Sequence, residues 1–365
     1  MTSDVQDLRR RLAARLVHAD VSGLFDWHHY TRATERGVHG LLFAPVFSLF
    51  LIEFRKYAAG LVGGGLPPMP PGLERVAQTS RAALKQAEHP AAYVEELARV
   101  IDLHDHEFRG EGRGLRGRLR RALADDMAVW TVGGSLVLTT HHAAIALGGS
   151  DVGPLSSKEM GERGHQIGRL AGEYIGACAA ALRLTPPDTA PDVLAFEPKD
   201  LRSQRYLGDI GRRLGSSSLA LTAAVLGVVG AINVAALVLP KLPSRSTLFS
   251  FKLRFVTTFH ALESLRKLKA FGRSHDLLSA DGLRRLSGSR ETVAGTREVL
   301  AHAKLRKLLV HHAEVEADRR DLTRDDLRRL ATELAAGSVP AALEDLLDRI
   351  VQTRRADLAY LAVGP

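Results

Sequence analysis

The stretch LALTAAVLGVVGAINVAALVLP, residues 219–240, decides how this chain is read. It is the centre of a run, residues 214–240, with no formal charge, and Asn233 is its one strongly polar side chain. A helix of this length is long enough to cross a hydrocarbon core about 30 Å thick, which takes about 20 apolar residues. A helix that is apolar all round is either membrane-spanning or enclosed by other helices, and both readings stand. Arg212 and Arg213 precede the run while Lys241 and Arg245 follow it, so flanking charge sets no orientation. No Trp or Tyr borders it to form an interfacial belt.

Upstream, MAVWTVGGSLVLTTHHAAIALGGS at 127–150 is also apolar. Gly133, Gly134, His141 and His142 make it a poor spanning helix and point to buried packing. Proline and glycine punctuate the rest: GGGLPPMPPG at 63–72, TPPDTAPDVLAFEPKD at 185–200 and PKLPSRS at 240–246 read as connectors. Between them lie good helix formers at helical spacing, with no convincing run of alternating strands and no internal repeat. The expectation is an all-α chain in four segments. These are N-terminal helices at 1–62, a helical region at 73–213, the apolar helix at 214–240 (transmembrane or buried) and a four-helix bundle at 246–365.

Composition narrows the class. A length of 365 residues at about 150 per domain gives two to three domains. With 45% hydrophobic and 25% charged residues, the chain is neither disordered nor collagen-like nor a disulfide scaffold. Aromatics are 5%, so Ala, Leu and Val must build the core. The net charge of +9, with a pI near 9.9, comes mostly from Arg and is compatible with phosphate binding or with compositional bias. Cys178 is the only cysteine, which excludes an intramolecular disulfide and fits a reducing compartment. The first twenty residues hold no signal-peptide core, so the expected location is cytoplasmic or inner-membrane-associated, not secreted.

The segment 246–365 is the clearest unit. Phe251, Phe255, Phe259, Leu262 and Leu265 recur at four- and three-residue steps and give one apolar helical face. A second helix is expected over 291–312, with Leu305, Leu308, Leu309 and His312 on one face. Thr323 and Asp326 resemble a capping box opening a third helix, and Gly337, Ser338 and Pro340 mark a stop before a fourth. The second helix ends in LRKLLVHH, residues 305–312, where Arg306 is followed by His311 and His312.

This spacing resembles the HEPN superfamily, whose helical bundles carry an Arg, four to six residues and a His near the end of the third helix. The order of a long apolar helix, a connector, the motif helix and a closing pair is also similar. The resemblance covers residues from about 250 onward and departs from the family at Lys307, where a small polar residue is common. It implies an HEPN-like bundle, a homodimer with a composite cleft, and metal-independent RNA cleavage or RNA binding in bacterial defence or stress response, with no cofactor. A His titrating near neutrality suits proton transfer at a ribose 2′-hydroxyl, and the fixed charge of an Arg suits a phosphorane. Arg306, His311 and His312 are the candidate catalytic residues, although Arg306 and His311 lie about 140° apart around an ideal helix.

Two rivals accompany this reading. One is a non-catalytic helical interaction protein, membrane-associated through 214–239. The other is a metal-dependent enzyme using His104 and His106 of the HDHE run with the Glu-x-x-His pair Glu162 and His165. His28–His29 and His141–His142 are adjacent pairs whose side chains diverge on a helix. Arg109, Arg113, Arg116, Arg118, Arg120 and Arg121 form a basic cluster suited to RNA or anionic lipid, or else a solvated helix start. No phosphate-cradling glycine motif is present.

Overall fold

A computed structural model describes residues 3–33, 41–42, 47–52, 67–86, 89–109, 125–148, 157–187, 194–242, 244, 246–311, 325–336 and 338–361. Of the described residues 79% are helical and 7% are in strands, so the fold is mostly helical with one small sheet. The helices are α1 (Ser3–Ala33), α2 (Pro71–Gln86), α3 (Pro90–Arg109), α4 (Thr140–Leu147), α5 (Ser157–Ala181), α6 (Ser203–Leu214) and α7 (Leu219–Asn233). They continue as α8 (Thr247–Ser274), α9 (Ala280–Ser287), α10 (Arg290–Ala301), α11 (Ala303–His311), α12 (Asp325–Ala335) and α13 (Ala341–Leu358). The strands are β1 (Met127–Val132), β2 (Ser135–Thr139) and β3 (Glu197–Leu201), antiparallel in the order β2-β1-β3.

The sheet corrects the reading of 127–150 as purely helical. Val132 pairs with Ser135 across Gly133 and Gly134, whose φ values are +53° and +71°. Positive φ at both central residues is what a two-residue type I′ hairpin turn requires, and glycine adopts it without strain. Both faces of β1 and β2 are largely buried, so their sequence shows an apolar run instead of alternation. The register shifts between Trp130 and Thr131. The connector read at 185–200 likewise ends inside a strand. Residues 197–200 pair with β1 as an exposed edge, where Pro198 and the charged Glu197, Lys199 and Asp200 discourage further pairing.

Helix α7 is the central element. Ser218 caps it by accepting from the Leu221 N–H at 3.2 Å. It packs against α3, α6, α8, α13 and β2. Of its most apolar window, within Leu219–Lys241, 78% is buried by the protein itself. After Asn233 the helix widens into one π turn, Val234–Val238, and a short 3₁₀ turn, Leu239–Lys241, before Ser246 caps α8. The π turn is also where the helix passes from one core to the other. Up to Ile232 its residues join α3, the hairpin, α4 and α6. From Val234 they join α1, α5, α8, α11 and α13.

The face of Phe251, Phe255, Phe259, Leu262 and Leu265 on α8 is buried as its periodicity predicts. The single helix expected over 291–312 is instead two, because the chain turns at His302, whose N–H bonds the Val299 carbonyl at 3.1 Å. This break lets α10 and α11 pack separately on α8. Two buried polar contacts tie distant parts together. The Lys252 ammonium on α8 donates to both oxygens of Asp20 on α1 at 2.7 and 2.6 Å, and lies 4.2 Å from the Phe50 ring centroid. Both side chains of that ion pair are fully buried. Arg354 of α13, also buried, donates to the Leu286 and Ser287 carbonyls at 2.6 and 3.0 Å and so caps the end of α9.

Candidate functional site

The hairpin delivers Thr139 to the start of α4. Its hydroxyl caps that helix, accepting from the His142 N–H at 3.4 Å, and its Oγ1 lies 2.7 Å from His142 Nδ1. The imidazole is thereby fixed toward α7, where Gly227 makes room: a Cβ there would sit 2.3 Å from His142 Nε2. One turn on, a Cβ at Gly230 would come within 2.8 Å of the Val137 carbonyl oxygen. Gly230 lets α7 approach the backbone of β2 while Gly227 admits the His142 ring, and the space left beside these contacts is a cavity.

The cavity has a volume of about 180 Å³. Its apolar wall includes Leu136, Leu138, Ile145, Ala224, Ala231 and Val234, and its polar lining includes Tyr93, Thr139, His142, Thr257, His260 and Ser264. Burial lowers the His142 pKa to about 4, with the Ala223 backbone acting in the opposite direction. Burial also takes His260 to about 4, assisted by the charges of Arg306 and Lys267 and opposed by Glu263. Burial raises the Tyr93 pKa. At neutral pH the lining therefore offers two uncharged imidazoles, each with one N–H and one lone pair, and hydroxyl groups. Thr257 Oγ1 is buried without a hydrogen-bond partner. His142 Nε2 likewise has no hydrogen bond of good geometry.

Behind this wall lies a second histidine pair. His104 of α3 and His141 of α4 are 1% and 0% exposed, with ring centroids 5.2 Å apart. His104 Nδ1 and both ring nitrogens of His141 have no hydrogen-bond partner. Burial lowers both pKa values. The neighbouring His104 and His142 press His141 further down, while Asp126 works against the shift at His104. Asp126 itself accepts from the Ser203 N–H at 2.7 Å and from its hydroxyl.

The residues singled out by sequence fall as follows. The HDHE run lies on α3, and helical geometry turns His104 inward while His106 is exposed. Glu162 and His165 are exposed on α5. The four are not brought together, and among the described residues no three His, Cys, Asp or Glu are grouped to hold a metal. Arg306 is half-buried on α11, with its guanidinium 5.5 Å from the Phe259 ring centroid and its Nε buried without a hydrogen-bond partner. Among the described residues, His260 is a histidine near enough to feel its charge, and sequence reasoning missed it. His311 ends α11, but its side chain and all of His312 lie outside the described residues. Arg109 ends α3, its side chain outside the described residues, as are Arg113, Arg116, Arg118, Arg120 and Arg121 entirely. Compared with protein families, curated proteins and solved structures, the chain finds no match.

Proposed function

We propose that the chain binds a small, largely apolar molecule carrying one hydrogen-bonding group, in the cavity between β2, α4, α7 and α8. The observation that carries this reading is the pair of neutral histidines, His142 and His260, set with Thr257 among aliphatic walls. Ligand pockets combine an apolar lining with a few placed polar groups in this way. The volume of about 180 Å³ is comparable with cavities of about 150 Å³ that accept benzene, which points to a ligand the size of one ring. Among the described residues no Asp, Glu, Lys or Arg side chain lines the cavity, so a charged ligand would be desolvated without compensation.

Calorimetry with phenol and toluene tests this. Phenol should bind at least about tenfold more tightly than toluene, the order of one good hydrogen bond. Ala231→Phe should abolish both by filling the cavity, and His142→Leu or His260→Leu should erase the preference. Equal binding of the two probes, or saturable binding of neither, refutes the reading.

RNA cleavage at Arg306 and His311 in a homodimer is the second reading. It is supported by the order of the helices after residue 246: a long α8, the motif helix α11 against it, then α12 and α13. The seat of Arg306 on Phe259 and beside His260 favours a packing role for that residue, and this ranks cleavage second. Loss of RNA degradation in both Arg306→Ala and His311→Ala, with melting unchanged, would reverse the order.

A further inference from the structure

A larger cleft opens on another face of α7. Its volume is about 410 Å³, and it is bounded by the hairpin turn at Gly134 and Ser135, by Val229, Ile232 and Asn233 of α7, and by the last turns of α13. Asn233 fixes the α7 wall by donating its side-chain amide to the Leu136 carbonyl at 2.8 Å. The π turn begins at the next residue, and such turns within helices recur at functional sites. Gly134 leaves the rim open, since a Cβ there would meet nothing within 4 Å.

One cation in this cleft has no carboxylate partner among the described residues. Arg355 donates to Ser135 Oγ at 3.3 Å, and among the described residues no carboxylate lies within ion-pairing distance of it. Its neighbours differ. Arg349 lies 3.8 Å from Glu298, and Arg354 is occupied by the α9 carbonyls with Asp357 at 3.9 Å. Gln352 stands one turn before Arg355 on the same cleft wall, and Ile232, Val229 and Leu358 supply an apolar floor.

We propose that this cleft binds a monoanionic oxyanion headgroup carried on a short apolar chain, with Arg355 as the anchoring cation. A guanidinium fork matches the two oxygens of a carboxylate, and Ser135 and Gln352 add neutral hydrogen bonds. The floor takes the hydrocarbon. A single cation suits one negative charge better than two, so a chain-borne carboxylate is favoured over free phosphate.

Binding of hexanoate, hexanol and inorganic phosphate at neutral pH, followed by calorimetry on the full chain, tests the assignment. Hexanoate should bind saturably, and both hexanol and phosphate should be weaker by about tenfold or more, since each lacks one half of the match. Arg355→Gln should weaken hexanoate by a similar factor of about ten while leaving hexanol unchanged. Ala356→Trp, placed at an exposed rim position, should block hexanoate with the melting temperature preserved. Hexanoate binding that survives Arg355→Gln or Ala356→Trp overturns the proposal, as does phosphate binding as tightly as hexanoate, or no hexanoate binding up to tens of millimolar.

Discussion

Lowering the pH from 7.5 to 5 should destabilise this protein well before its carboxylates titrate. His142 and His260 have folded pKa values of about 4 against an ordinary 6.5. Between those values the unfolded chain takes up protons that the folded chain refuses. Their contribution is therefore complete above pH 6.5, falls as pH drops, and is gone below about 4. At pH 5 the linkage relation gives a loss of about 2 kcal/mol for each histidine. Both rings touch the cavity, where water would screen the charge, so about 2–4 kcal/mol is the expected total. His104 and His141 act in the same direction. Urea unfolding at pH 7.5, 6 and 5, followed by tryptophan fluorescence and circular dichroism, measures this as a falling midpoint at constant m-value. His141→Leu is the internal control, because its two ring nitrogens have no partner to lose. It should be neutral or stabilising at pH 7.5 and should make the acid slope shallower. A midpoint independent of pH over this range would refute the reasoning, as would a loss beyond about 2 kcal/mol for His141→Leu at pH 7.5.

Three further outcomes follow from the packing. Asp20→Ala should cost about 3–5 kcal/mol by leaving the Lys252 ammonium buried alone, whereas Asp20→Leu with Lys252→Met should cost much less, both read from unfolding midpoints. Gly230→Val should cost about 1–3 kcal/mol, since its Cβ meets the Val137 carbonyl and the backbone must shift; an unchanged midpoint would mean that α7 and β2 are not in contact. Because α7 is mostly covered by the protein itself, the chain should be recovered without detergent, and retention in the pellet through alkaline carbonate washing would show that the helix is inserted in a bilayer.

The helices were legible wherever one face is apolar and the other wet. The Phe251–Phe255–Phe259 stripe needed only its spacing. The hairpin was hidden because β1 and β2 are covered on both faces, which removes the alternation that marks a half-buried strand. Its signal is Gly133–Gly134, a two-residue turn between β-branched and aromatic residues, which in an apolar stretch also reads as a defect in a helix. The cavity was less legible still. His142 and His260 are 118 positions apart, and tertiary packing brings them to one cavity, with Gly227 of α7 making room for the His142 ring. In sequence His142 stands out only as a neighbour of His141, and His260 lies just off the apolar stripe. Among the metal candidates, the alternation in HDHE already held the answer, because residues two apart on α3 face different ways.

The ion pair between Asp20 and Lys252 sets a timetable for synthesis. The two partners are 232 residues apart in the chain. At about 5–20 residues per second, the lysine leaves the ribosome roughly 10–50 s after the aspartate. Throughout that interval α1 exists without α8, and Leu16, Leu24 and Phe25, all buried in the finished fold, have no α8 to pack against. Nascent chains paused between these two positions should therefore recruit chaperones and yield to proteases, and that vulnerability should fall as α8 and then α12, which also packs on α1, emerge.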